Sequence, residues 1–129
     1  MAEEKGPKML SPSMRGRQRY LAFQVLSEKE ILFQDLKNTI WHSVLNFLGE
    51  METARAVLRI YKDTYQEKSQ SGIIRCSHES VEKVRASLAL IERIGDVRVV
   101  LHVLGVSGSI KATKMKFFEE PKLTEYTSN

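Results

Sequence analysis

Apolar and polar residues alternate from Tyr20 to Leu26, with Leu21, Phe23 and Val25 on one face and Tyr20, Ala22 and Gln24 on the other. A period of two with one apolar face describes a strand half-buried in a sheet. The period then lengthens. From Phe33 to Leu48, apolar residues stand at 33, 36, 40, 41, 44, 45, 47 and 48, which is the spacing of an amphipathic helix. Asp35 favours its start and Gly49 supplies a stop. Residues 50–56 (EMETARA) read as a short extra turn. Val57 to Tyr61, extending towards Tyr65, reads as a second strand, 67–70 as a polar turn and Gly72 to Cys76 as a third strand. Ser77 reads as the cap of a second helix, with Glu79 and Glu82 placed well for its dipole. Val81, Val84, Leu88 and Ile91 form its buried stripe and Gly95 closes it. Val97 to Leu104 reads as a fourth strand with Val99, Leu101 and Val103 on one face, followed by a short helix from about Ser109 to Phe118.

The order strand–helix–strand–strand–helix–strand predicts an α+β fold. It is the split βαββαβ, ferredoxin-like or RRM-like sandwich, a four-stranded antiparallel sheet with both helices on one face and a short C-terminal helix. The opposite face then carries Tyr20, Ala22, Gln24, Arg98, Val100, His102 and Leu104. Val100 and Leu104 call for a cover there, either the C-terminal helix or a partner chain. Residues 1–14, with Gly6, Pro7 and Pro12, read as a flexible arm, and 119–129 as a flexible tail, leaving 15–118 as one domain.

Composition fits one folded domain: 129 residues, 42% of them hydrophobic. No apolar run approaches the roughly 18–20 residues of a membrane span, and the first residues lack the apolar stretch of a secretory signal. One cysteine, Cys76, makes neither an internal disulfide nor a multi-cysteine metal site. A soluble, cytoplasmic protein is expected. Net charge is +4, and its distribution says more than the sum. Residues 1–19 hold five basic side chains against Glu3 and Glu4, residues 20–105 hold eleven of each sign, and 106–118 hold Lys111, Lys114 and Lys116 with no acid. The excess sits at the two ends of the domain, where it either solubilises or attracts a polyanion.

Candidate chemistry is sparse on the catalytic side. His42, His78 and His102 have no paired carboxylate nearby in sequence and no metal-ligand spacing, so they read as surface or sheet residues. Cys76 ends an apolar strand and reads as a buried thiol. No Ser-His-Asp set is recognisable. The segment Gly105-Val106-Ser107-Gly108-Ser109-Ile110-Lys111 lies between a strand and a helix. Backbone N–H groups in such a loop take a phosphate, with Ser107, Gly108 and Ser109 around it and the three lysines beyond. The plain alternative is a tight turn permitted by Gly105 and Gly108 with Ser107 or Ser109 as cap. Arg15, Arg17 and Arg19 lead into the first strand, and arginine suits bidentate phosphate contacts. RNA-recognition modules stack bases on aromatics of the first and third strands. Here the third strand has none and the first offers only Tyr20, so backbone or shape recognition of structured RNA is expected rather than sequence-specific readout.

Arg19-Tyr20-Leu21-Ala22-Phe23, Ser71-Gly72-Ile73-Ile74-Arg75-Cys76, Ala86-Ser87-Leu88-Ala89-Leu90-Ile91 and Leu104-Gly105-Val106-Ser107-Gly108-Ser109-Ile110-Lys111 together resemble archaeal ribonuclease P protein component 2. That family is related to the Pop subunit of eukaryotic ribonucleases P and MRP. The likeness spans roughly residues 12–118, with Ser109 where threonine is expected. It implies a subunit of the ribonucleoprotein that removes 5′ leaders from precursor tRNA. It also implies that the chemistry belongs to the RNA and its Mg²⁺, with no cofactor held by the protein. The partners implied are the ribonuclease P RNA, a barrel-fold protein subunit and a second copy of the chain in a dimer of heterodimers. Apart from the resemblance, residues 49–54 are a candidate for self-contact. Two other classes stay open: an acylphosphatase-like hydrolase on the same fold, against which the loop's position after the last strand counts, and a pure protein-docking module.

Overall fold

A computed structural model describes residues 17–118. The arm at 1–14, Arg15 and the tail at 119–129 lie outside the described residues. Chain order is β1 (Gln18–Ser27), α1 (Phe33–Ala56), β2 (Arg59–Gln66), β3 (Ser71–Ser77), a 3₁₀ turn (His78–Ser80), α2 (Val81–Ala89), β4 (Arg93–Ile94), β5 (Val97–Ser107), α3 (Ile110–Thr113) and a π-helical turn (Lys114–Phe118). The strands form one antiparallel sheet in the order β2-β3-β1-β5-β4. The predicted sandwich is therefore present with one correction. The sheet has five strands rather than four, because Arg93–Ile94 folds back on Val97 and Arg98.

That hairpin also corrects the role of Gly95. Helix α2 ends at Ala89, and Gly95, at φ 63, sits in the turn between β4 and β5. Ser77 is likewise not the cap of α2. It precedes the 3₁₀ turn and donates its hydroxyl to Ser80 Oγ at 3.0 Å, and Ser80 stands at the helix start. Gly49 breaks helical geometry, with φ 84 and ψ 169, so the first limb of α1 stops there as expected, and 50–56 form a second helical limb that runs to Ala56. Lys83 of α2 reaches Glu52 on the second limb at 3.1 Å. The lysine beside it holds the Glu52 carboxyl below its ordinary value.

The core lies between the sheet and the helices. Leu21, Phe23 and Val25 of β1 meet Leu36, Ile40 and Val44 of α1 and Val84 and Leu88 of α2, with Ile74, Cys76, Val99 and Leu101 beside them. At about 25 cal/mol per Å² of apolar surface removed from water, these side chains dominate the stability. The helix stripe is narrower than its sequence suggests, since Leu45 and Phe47 are exposed on α1.

Two partner registers define the face turned away from the helices. Tyr20 pairs with Arg75 and Ser107, and Ala22 with Ile73 and Gly105. Between Ala22 and Phe23 the ladder with β5 shifts register, leaving Leu104 as the extra residue of a bulge. The expected cover is supplied in part by the C-terminal turn, whose Phe117 ring lies on Gly105. Ala22 and Ile73 are fully buried there, while Val100, Arg98 and His102 remain exposed.

Candidate nucleic-acid interface

The antiparallel pairing of β1 with β5 brings the start of one strand beside the end of the other, as Tyr20 opposite Ser107 shows. Arg17, Arg19 and the segment 107–116 therefore share one end of the sheet. Arg19 and Ser107 do not share a face. Arg19 pairs with Cys76, a core residue on the helix side, whereas Ser107 pairs with Tyr20 on the open side. Arg17 is exposed, and Arg19 is half-buried with Nη1 donating to the Gln18 carbonyl at 2.9 Å.

Ser107 is buried, and Gly108 is exposed with open space where a Cβ would stand. Ser109 caps α3: its Oγ accepts from the Ala112 N–H at 3.1 Å, and its carbonyl accepts from the Thr113 N–H at 3.0 Å and the Thr113 hydroxyl at 2.7 Å. Thr113 is fully buried and pins the turn. The cap thus occupies two backbone N–H groups of the turn, and what projects into solvent is charge. Lys111, Lys114 and Lys116 are all exposed. Single-sign charge on a compact turn raises the local potential for a polyanion.

Sequence reasoning missed a second group on the open face. Arg59 pairs with Arg75, which pairs with Tyr20, so these three stand in one cross-strand row. Tyr61, in the next row opposite Ile73, has its ring centroid 6.3 Å from that of Tyr20. The Arg59 guanidinium lies over the Tyr61 ring, 5.2 Å from its centroid. The available signal was the alternation Arg59-Ile60-Tyr61, but only the pairing of β2 with β3 shows that these residues join Tyr20.

Among the described residues no group of three His, Cys, Asp or Glu side chains is placed to hold a metal ion. His42, His78 and His102 are exposed on separate elements. Burial pushes the Cys76 thiol up to about 11, away from nucleophilic use. Among the described residues no helix is long and apolar enough to cross a membrane.

Comparison with known proteins agrees with the fold above. The Rpp14/Pop5 family model matches residues 19–118. Ribonuclease P protein component 2 of Pyrococcus furiosus is 41% identical over 114 residues, covering 88% of this chain and 93% of that protein. The Thermococcus kodakarensis protein of the same description is 40% identical over 114 residues, with the same coverage. That of Methanosarcina mazei is 39% identical over 113 residues, covering 88% of this chain and 94% of its own. A chain in the cryo-EM structure of yeast ribonuclease MRP shares the fold, with a TM-score of 0.57 at 12% identity over 87% of this chain and 89% of that one. With residues 19–118 matched by the family model, and with relatives matched along nearly their full length, the chain belongs to the Rpp14/Pop5 family.

Proposed function

We infer that this chain is a protein subunit of ribonuclease P, the ribonucleoprotein that cuts precursor tRNA to give mature 5′ ends, and that it works by holding RNA rather than by chemistry of its own. The observation that carries this reading, beside family membership, is the acid-free segment 106–118, which displays Lys111, Lys114 and Lys116 in solvent at the sheet end where Arg17 and Arg19 enter. Arg15 joins them in sequence, and Ser107, Gly108 and Ser109 form the loop beside the lysines. These groups neutralise crowded phosphates of the ribonuclease P RNA, so that its catalytic domain keeps its active fold and takes Mg²⁺ at lower concentration.

The protein partners in this reading are a barrel-fold subunit and a second copy of the chain, with precursor tRNA engaged through the RNA. Phe47 and Leu90 stand exposed in a groove between α1 and the segment Leu90–Arg93 that follows α2, and a protein partner would cover them.

The test is the salt dependence of RNA binding. Each phosphate contact contributes about 0.7–0.9 to the slope of log affinity against log salt, so replacing Lys111, Lys114 and Lys116 with Ala should flatten that slope by about 2–3. An unchanged slope would remove the lysines from the interface.

A further inference from the structure

Away from the lysine turn, the open face holds two arginines and two tyrosines, and one of the arginines keeps a buried donor without a partner among the described residues. Arg59 and Arg75 are direct cross-strand partners, and like charges in that relation repel. Among the described residues neither has a carboxylate within ion-pair distance. The Nε of Arg75 is buried with no hydrogen-bond partner among the described residues, a cost that native folds rarely leave unmet. Beside them, the half-buried rings of Tyr20 and Tyr61 lie 6.3 Å apart at 31° to one another on the same side of the sheet, with the Arg59 guanidinium over the Tyr61 ring.

We propose that Tyr20, Tyr61, Arg59 and Arg75 form a stacking site for one unpaired nucleotide, with the base against the tyrosines and its phosphate between the arginines. The proposal rests on the RNA-binding reading above and deepens it. Electrostatics select the ligand: a base needs a π-face to stack on, its phosphate needs cations, and this cluster supplies both within one pair of adjacent rows. The row continues from Arg59 through Arg75 and Tyr20 to Ser107, next to the lysine turn, at about 4.8 Å per strand. A strand of RNA that leaves a helix gripped by the lysines would therefore run directly onto it. Recognition is tolerant of base identity, because every base presents a π-face.

The experiment compares two probes on the full chain by fluorescence anisotropy: labelled octauridylate, which has no secondary structure, and a blunt 16-base-pair RNA duplex. Tyr20→Leu with Tyr61→Leu should weaken octauridylate binding about tenfold to a hundredfold with its salt slope unchanged, and should leave duplex binding within about twofold. Tyr61→Phe, which keeps the ring, should bind octauridylate like the wild type. Arg59→Gln, an exposed change that spares the core, should lower the octauridylate slope by about 0.7 and provides the test even if the double leucine variant fails to fold. Equal octauridylate binding by the wild type and the tyrosine variants, with the lysine-dependent slope on the duplex intact, would overturn the stacking site alone. Equal weakening of both probes would overturn it as well. No binding of either RNA by the wild type at low salt would overturn the wider reading and this proposal together.

Discussion

Phe117 lies so close over Gly105 that a Cβ on residue 105 would stand 2.2 Å from the ring's Cζ. Gly105 is in the row of Ala22 on the face turned away from the helices, and the bulge at Leu104 sets it there. Lacking a side chain, it lets the turn at 114–118 close onto the sheet and so fixes where the lysines on that segment stand.

Gly105→Ala should therefore destabilise the fold by about 1–3 kcal/mol through overpacking. The cost should shrink towards zero in a Phe117→Ala background, which removes the clash. Urea unfolding of the four proteins measures the coupling. The same cost in both backgrounds would mean that the ring does not press on residue 105.

Gln70 ties three elements together. Its backbone is left-handed, at φ 54, and its buried side chain accepts from the Ile31 N–H at 2.6 Å while donating to the Val25 carbonyl at 3.1 Å and Ser27 Oγ at 3.0 Å. Gln70→Leu strands the Ile31 donor and the Val25 acceptor without water, at a cost of about 2–4 kcal/mol. Denaturant titration would show the midpoint falling with little change in slope. A midpoint within error of the wild type would place those partners in contact with solvent instead.

The Cys76 thiol gives a pH signature. Burial raises it from 9.0 to about 11, so between those values the unfolded chain loses its proton while the folded chain keeps it. Stability attributable to this group is thus intact below pH 9 and falls as the pH rises through 11. Cys76→Ala, compared with the wild type by thermal unfolding from pH 8 to 11, should show a shallower decline. Parallel curves would place the thiol outside the buried core.

How much of this was legible in the sequence follows from the range of each signal. Leu21, Phe23 and Val25, and Leu36, Ile40 and Val44, are read correctly because period two and period 3.6 are local and each element buries a whole face. Strand β4 has two residues, too few to display any period, and without it Gly95 looks like a helix stop instead of the centre of a hairpin turn. Gly49 carries a true local signal, a break at positive φ, and the second limb beyond it buries Thr53 and Ala56. The lysines of the candidate interface could be found because charge adds along the chain regardless of geometry. Arg19 was harder to place. Its separation from them depends on pairing with Cys76, and the Tyr20–Tyr61 cluster depends on two ladders meeting, neither of which any single segment encodes.

On the function proposed above, this chain supports an RNA catalyst. The most direct measurement is single-turnover cleavage of a precursor tRNA at limiting Mg²⁺ by ribonuclease P RNA with a barrel-fold partner subunit. Each reaction is run with and without this protein, and with the protein alone. Cleavage should be strong only when the RNA and this chain are both present, weaker when Lys111, Lys114 and Lys116 are Ala, and absent with protein alone. Cleavage that is unaffected by this chain at every Mg²⁺ concentration, or that the protein performs without the RNA, would contradict the account.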